Sequence, residues 1–253
     1  LTAAAGTRRV RLWTVAGAVA LILMSAASPA LAQDININLG QGGGLTERVI
    51  QLVALLTVLS LAPSILVMMT SFTRIVVVLS LLRTALGTAT APPNAVLIAL
   101  ALFLTAFVMG PALQHSYDDG IRPLANNEIT VQQAFERASG PLRAFMQKNV
   151  REKDLQLFTD LSAEPRPATP DDMSLRVLVP AFMISELKRA FEIGFLLFLP
   201  FLIIDLVVAS VLMSMGMMML PPVVVSLPFK LIFFVLVDGW SLVAGSLIQS
   251  YGT

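Results

Sequence analysis

The single histidine, His115, stands beside Tyr117, Asp118 and Asp119. An imidazole with two nearby carboxylates offers the donor types of a metal site, but no second histidine exists and the chain has no cysteine to complete one. A solvated helix end accounts for the same residues, so no metal is expected. Nucleophile and nucleotide chemistry lack their parts too. There is no G-x-S-x-G elbow around a serine and no G-x-x-x-x-G-K-[ST] cradle for phosphates. The glycine run 42–44 reads as a flexible linker. Hydrolase, kinase and motor readings therefore fall short, and the chain is read as no enzyme and as needing no cofactor.

The residues that carry information are charges inside apolar runs: Arg74, Arg83, Glu186, Lys188, Glu192, Asp205, Lys230 and Asp238. A charge at the centre of a membrane helix costs about 2.5 to 3.5 kcal/mol on insertion scales, so it faces a partner or a polar path. Carboxylates such as Asp205 and Asp238 could relay protons or hold a coupling ion, which would make an ion-coupled small-solute transporter. Alternatively the charges pair between helices and subunits, which their scatter over several segments favours. A second feature is the run Met215 to Met219, interrupted only by Gly216 and followed by Pro221 and Pro222. It reads equally as a tight apolar turn stopped by the double proline or as a deformable seal of polarizable thioethers.

The elements that must position these residues follow from composition. At 56% hydrophobic and 13% charged, the 253 residues exceed what one soluble core needs, since soluble domains run about 25% charged. The formal charge of +1 points to no nucleic acid. Arg8, Arg9 and Arg11, an apolar run over 12–27 and the small-residue pattern Ala30-Leu31-Ala32 predict a signal peptide over 1–32, cleaved between Ala32 and Gln33. A flexible polar N-terminus follows over 33–44. Residues 49–69 are uncharged and would rise about 31 Å as a helix, which matches a hydrocarbon core. Further spans are expected at 95–113, 195–213 and 223–248, the last interrupted by Pro228 and two charges. The run 75–82, bracketed by Arg74 and Arg83, is too short to span.

The chain thus reads as all-α, with a first apolar helical hairpin over 45–113 and a second over 191–253. Between them, 114–190 hold ten of the 17 Lys and Arg and eleven of the 16 Asp and Glu, a water-facing segment. One amphipathic helix is predicted there over 141–161, with Pro141 in its first turn, and a proline-rich linker over 164–170. A signal peptide that keeps its basic end inside puts the polar segment in the periplasm.

Several strings resemble one family closely: MMTSFTRIVVVLSLLR from Met68, APPN from Ala91, FLIIDL from Phe201, Met217 to Met219 with Pro221-Pro222, LPFK from Leu227 and VDGW from Val237. They are similar to the FliP family of flagellar type III export-gate subunits, from about Leu45 to Tyr251. The resemblance implies a homo-oligomer that joins FliQ and FliR in a pseudo-helical gate for unfolded exported flagellar proteins. FlhB and FlhA complete the apparatus and FliO helps assembly. It also implies a location in the bacterial inner membrane at the flagellar basal body, with helices that meet membrane lipid or neighbouring subunits. By the same resemblance Met217, Met218 and Met219 form a channel gasket, and Glu186 and Lys230 form an ion pair between neighbouring copies. Arg74, Arg83, Asp205 and Asp238 remain as other buried charges.

Overall fold

A computed structural model describes residues 45–162, 173–217 and 219–252, and every described element is helical. The chain divides after Leu55 into two units. The described part of the first is the opening of helix α1, Leu45–Met68, and all later elements belong to the second. The signal-peptide site at Ala32 and Gln33, the polar N-terminus and the linker at 164–170 lie outside the described residues.

The run too short to span becomes the centre of the fold. Helix α2, Phe72–Ala85, has 14 residues, about 21 Å of rise, so it cannot cross a hydrocarbon core of about 30 Å. It is instead buried: Ile75, Val78, Leu79, Leu82 and Ala85 follow helical spacing and are at most 1% exposed. Its partners are α3, Asn94–Ser116, and α7, Leu175–Ser214. The helix stops at Leu86, and Gly87 takes the left-handed conformation (φ 78°) that glycine accepts without a Cβ penalty.

After α3 the chain passes through a π-helical turn, Tyr117–Ile121, and a short helix α4, Arg122–Ala125. Gly120 is required there, because a Cβ would meet the Ala134 carbonyl at 2.8 Å and Ala138 at 2.6 Å. The polar segment then differs from the single predicted helix. Helix α5, Val131–Asn149, starts ten residues earlier, at a capping box in which Thr130 Oγ1 accepts from the Gln133 amide and Gln133 Oε1 from the Thr130 amide. Pro141 lies inside α5, not in a first turn. A second helix, α6, Glu152–Leu161, follows after a break at Val150 and Arg151. The break has a tertiary cause: the Arg151 amide turns aside to donate to Ser185 Oγ of α7 at 3.0 Å.

Helix α7 is continuous over 40 residues, about 60 Å, and runs through position 190, where the sequence suggests a junction between polar segment and second hairpin. Beyond it come α8, Pro222–Leu236, and α9, Gly239–Gln249, bent by 63°. Pro228 sits within α8; the bend falls at Asp238, whose φ of 50° is left-handed, and at Gly239, where a Cβ would lie 2.1 Å from the Phe234 ring. Two helices, within Asn94–Ala125 and Leu175–Ser214, are long and apolar enough to cross a membrane, or three if the bent pair is one span. The sequence predicts four. The first of them is helical as α1, whose 24 residues rise about 36 Å.

Candidate functional site

Arg74 in the first turn of α2 and Glu186 in the first third of α7 are both fully buried and form an ion pair. Arg74 Nε donates to Glu186 Oε2 at 2.9 Å, and Nη2 donates to Oε1. The remaining guanidinium edge is satisfied by Ser250, through its hydroxyl at 2.9 Å and its carbonyl at 3.3 Å. Tyr251 closes the cluster twice. Its hydroxyl donates to Glu186 Oε2 at 2.5 Å, and its ring lies under the guanidinium, 3.8 Å from centroid to Cζ. Burial and the Glu186 carboxylate push the Tyr251 phenol far above the ordinary tyrosine range, so it stays a neutral donor. Three segments distant in sequence are thereby joined at one fully hydrogen-bonded charge pair, the arrangement a buried pair requires.

A second pair stands between the last hairpin and α2. Lys230 Nζ donates to Asp205 Oδ2 at 2.6 Å and to the Ala85 carbonyl at 3.1 Å, while Ser226 Oγ donates to Asp205 Oδ1 at 2.5 Å. Ala85 is the last residue of α2, so the ammonium also meets the negative end of that helix dipole. Glu186 and Lys230, expected to pair across copies, are not brought together within the chain; each has its own intrachain partner.

Arg83 is held by neutral oxygens. Its Nη1 donates to Asn94 Oδ1 at 2.5 Å and to the Pro92 carbonyl at 3.3 Å. Asp238 is exposed at the α8–α9 bend, and its side chain makes no capping bond to α9. Lys188 and Glu192 form an exposed pair at 3.8 Å.

A further polar centre is one that the sequence alone does not single out. Asp154 of α6 accepts from Arg151 Nε and Nη2, both at 2.8 Å, and from Ser185 Oγ at 2.6 Å. Burial opposes ionisation of Asp154, but the hydrogen bonds of Ser185 and Arg151 and the charge of Arg151 outweigh it and hold the carboxyl below the ordinary range. Spacing could have raised the pair, since Arg151 and Asp154 stand three apart at a helix start. Nothing local identifies Ser185.

The methionine turn joins α7 to α8. Met217 is 41% and Met219 96% exposed, with Met215 at 61%; Met218 lies outside the described residues. Gly216 turns the chain at φ 74°, and the Met217 amide bonds back to the Leu212 carbonyl at 3.0 Å. His115, Asp118 and Asp119 are exposed, and Asp118 stands 3.9 Å from Arg122. No group of three or more metal-ligating side chains occurs among the described residues.

Comparison with known proteins gives the context of these charges. A model of the FliP family matches residues 55–247. The chain is 65% identical over 245 residues to the flagellar biosynthetic protein FliP of Caulobacter vibrioides, covering 96% of this chain and 91% of that one. It is 57% identical over 213 residues to the protein of the same name from Pectobacterium carotovorum, with 84% and 83% covered. For that of Bacillus subtilis the figures are 56% over 217 residues, with 86% and 98% covered. The matched stretch runs through the pairs Arg74–Glu186, Lys188–Glu192 and Lys230–Asp205, the methionine turn and the α8–α9 bend, and on this likeness the chain belongs to the FliP family.

Proposed function

We propose that the chain is a core subunit of the flagellar type III protein export gate, whose copies form, with FliQ and FliR, the channel for unfolded flagellar proteins. The carrying observation is membership in a family whose curated members are named flagellar biosynthetic proteins. FlhB and FlhA would complete the apparatus, with FliO as assembly helper, in the inner membrane at the basal body, and the polar segment would face the periplasm. No covalent bond need be made or broken, so the reading is of a conduit, not an enzyme.

Apolar exposure supports assembly. Phe103 and Phe107 on α3, Phe195, Leu196 and Ile203 on α7, and Val235 and Leu236 on α8 are each at least 60% exposed. Faces of that extent are covered by lipid or by other subunits. The transporter reading loses support because the Asp205 carboxylate already has Lys230 and Ser226 as partners, which leaves it poorly placed to carry a proton. Pairing of Glu186 with Lys230 of a neighbouring copy remains a proposal of its own, and it requires both intrachain pairs to open.

The exposed turn at Met217, Met218 and Met219 fits a gasket, because flexible thioethers around an axis can close on one another and yield to varied cargo. Deleting the three methionines, or replacing them with alanine, is expected to leave the complex assembled and to raise small-solute leakage across the inner membrane. Complex yield and dye leakage are measured together. An intact complex that stays ion-tight returns the methionines to ordinary packing.

A further inference from the structure

Of the eight charges in apolar runs, six are neutralised within the chain: Arg74 with Glu186, Lys188 with Glu192, and Lys230 with Asp205. Of the eight, Arg83 and Asp238 are left over, and like Arg189, the neighbour of Lys188, neither has an opposite charge at ion-pair distance among the described residues; Asp238 is the anion of the three. Their surroundings differ from those of a solvated charge. Asp238 is flanked by Val235 (75% exposed), Leu236 (80%) and Leu242 (58%), and its left-handed backbone sets it at the bend between the two helices. An unpaired carboxylate amid such an apolar face is costly in lipid, so it calls for a cation from outside the chain.

Arg83 has the matching form. Among the described residues only its Nη1 is engaged, by Asn94 and the Pro92 carbonyl, and both acceptors are neutral. They fix the direction of the guanidinium and leave its Nε and Nη2 edge without a bond among those residues. That edge is the one that holds a carboxylate through two parallel hydrogen bonds. The helix that Asn94 opens, α3, carries exposed Val96 (52%) and Ile98 (45%) in its first turns, as the bend carries Val235, Leu236 and Leu242 near the anion in sequence.

We infer that Arg83 of one copy pairs with Asp238 of the next, so that a second copy of this chain docks with the start of its α3 against the α8–α9 bend of its neighbour. The inference rests on the homo-oligomer of the proposed function. Each copy brings one charge of each sign, so the contact can form between any two copies of the chain. It needs no existing pair to be broken. Exchange between Glu186 and Lys230, by contrast, would open two clusters in every copy.

The chain has no cysteine, which gives a clean test. Full-length copies bearing Asp238→Cys and copies bearing Arg83→Cys, differently tagged, are expressed together in cells carrying the rest of the export machinery and treated with a short bis-maleimide. A cross-linked dimer containing both tags is expected, and far less from either variant alone. In parallel, Asp238→Arg is expected to lower the yield of the complex at least about tenfold, because it sets two cations face to face, and adding Arg83→Asp is expected to restore it. The charge exchange decides if a cysteine variant fails to assemble. A complex of normal yield with no mixed cross-link, or with Asp238→Arg tolerated, overturns the contact and leaves the homo-oligomer standing. A wild-type chain that forms no homo-oligomer overturns both.

Discussion

Removing one partner of the Arg74–Glu186 pair tests whether the fold depends on it. Glu186 is fully buried and receives three hydrogen bonds, two from Arg74 and one from Tyr251. In Arg74→Ala the carboxylate keeps only the Tyr251 hydroxyl, and in Glu186→Ala the guanidinium keeps only Ser250 and the Tyr251 ring. Leaving a buried charge uncompensated costs about 3 to 5 kcal/mol. For a chain of this size each kcal/mol moves the unfolding midpoint by about 2 to 4 °C, so each single variant should lose roughly 6 to 20 °C in mild detergent. The double variant Arg74→Met with Glu186→Leu removes both charges and refills the space, and is expected to lie above either single. A double variant less stable than both singles, or singles that match the wild type, refutes the reasoning. The measurement also separates two partners for Glu186. If its working partner were Lys230 of another copy, Glu186→Ala would lower the yield of the complex while the midpoint of the unassembled chain stayed unchanged.

Two further expectations come from the same core. Tyr251→Phe keeps the ring under Arg74 but removes a hydrogen bond to a buried carboxylate, so it should cost about 1.5 to 3 kcal/mol by thermal unfolding. The pH dependence should change with it: the phenol stays protonated in the fold but ionises near pH 10 once unfolded, so Tyr251 adds a loss of stability above about pH 10 that the Phe variant lacks. Equal slopes of stability against pH in wild type and variant, from about pH 9 to about pH 11, would remove Tyr251 from the account. Gly239→Ala should be destabilised by about 1 to 3 kcal/mol, because its Cβ would enter the Phe234 ring, and Phe234→Leu should recover part of that loss. No recovery in the double variant would place the cost elsewhere in the bend.

The helical class is legible because uncharged runs of about 20 residues fit a helix, which satisfies its own backbone in an apolar medium, and exceed the roughly 9 to 11 that a barrel strand needs. Element ends are less so. Proline is favoured in a first turn, which points to Pro141 as a helix start, yet the helix begins after Thr130, where Gln133 three residues later gives the capping box. That signal is local and available. The break at Arg151 is not, since it depends on Ser185, 34 residues away. The bend at Asp238 lies between. Pro228 is the visible helix breaker in that run, but it sits inside α8, and the chain turns instead where Gly239 can accept the Phe234 ring.

Charge pairing marks a sharper limit of what a sequence carries. An ionisable residue in an apolar run announces that it needs a partner, because the cost of leaving it alone is local and independent of the fold. Which partner it takes is decided by how helices cross. Glu186 meets Arg74 across 112 positions, and Lys230 meets Asp205 across 25 together with a carbonyl 145 positions away, distances at which periodicity says nothing. The family resemblance implies Glu186 with Lys230, a pairing between copies that one chain does not contain. The fold adds what neither source holds, which is the subtraction: once each in-chain pair is drawn, the opposite charges without a partner are the ones available to a neighbour. Arg83 and Asp238 belong to that remainder, together with Arg189, and Asp238 is its anion, so the cation that a neighbour brings to the α8–α9 bend is what the pairing must supply.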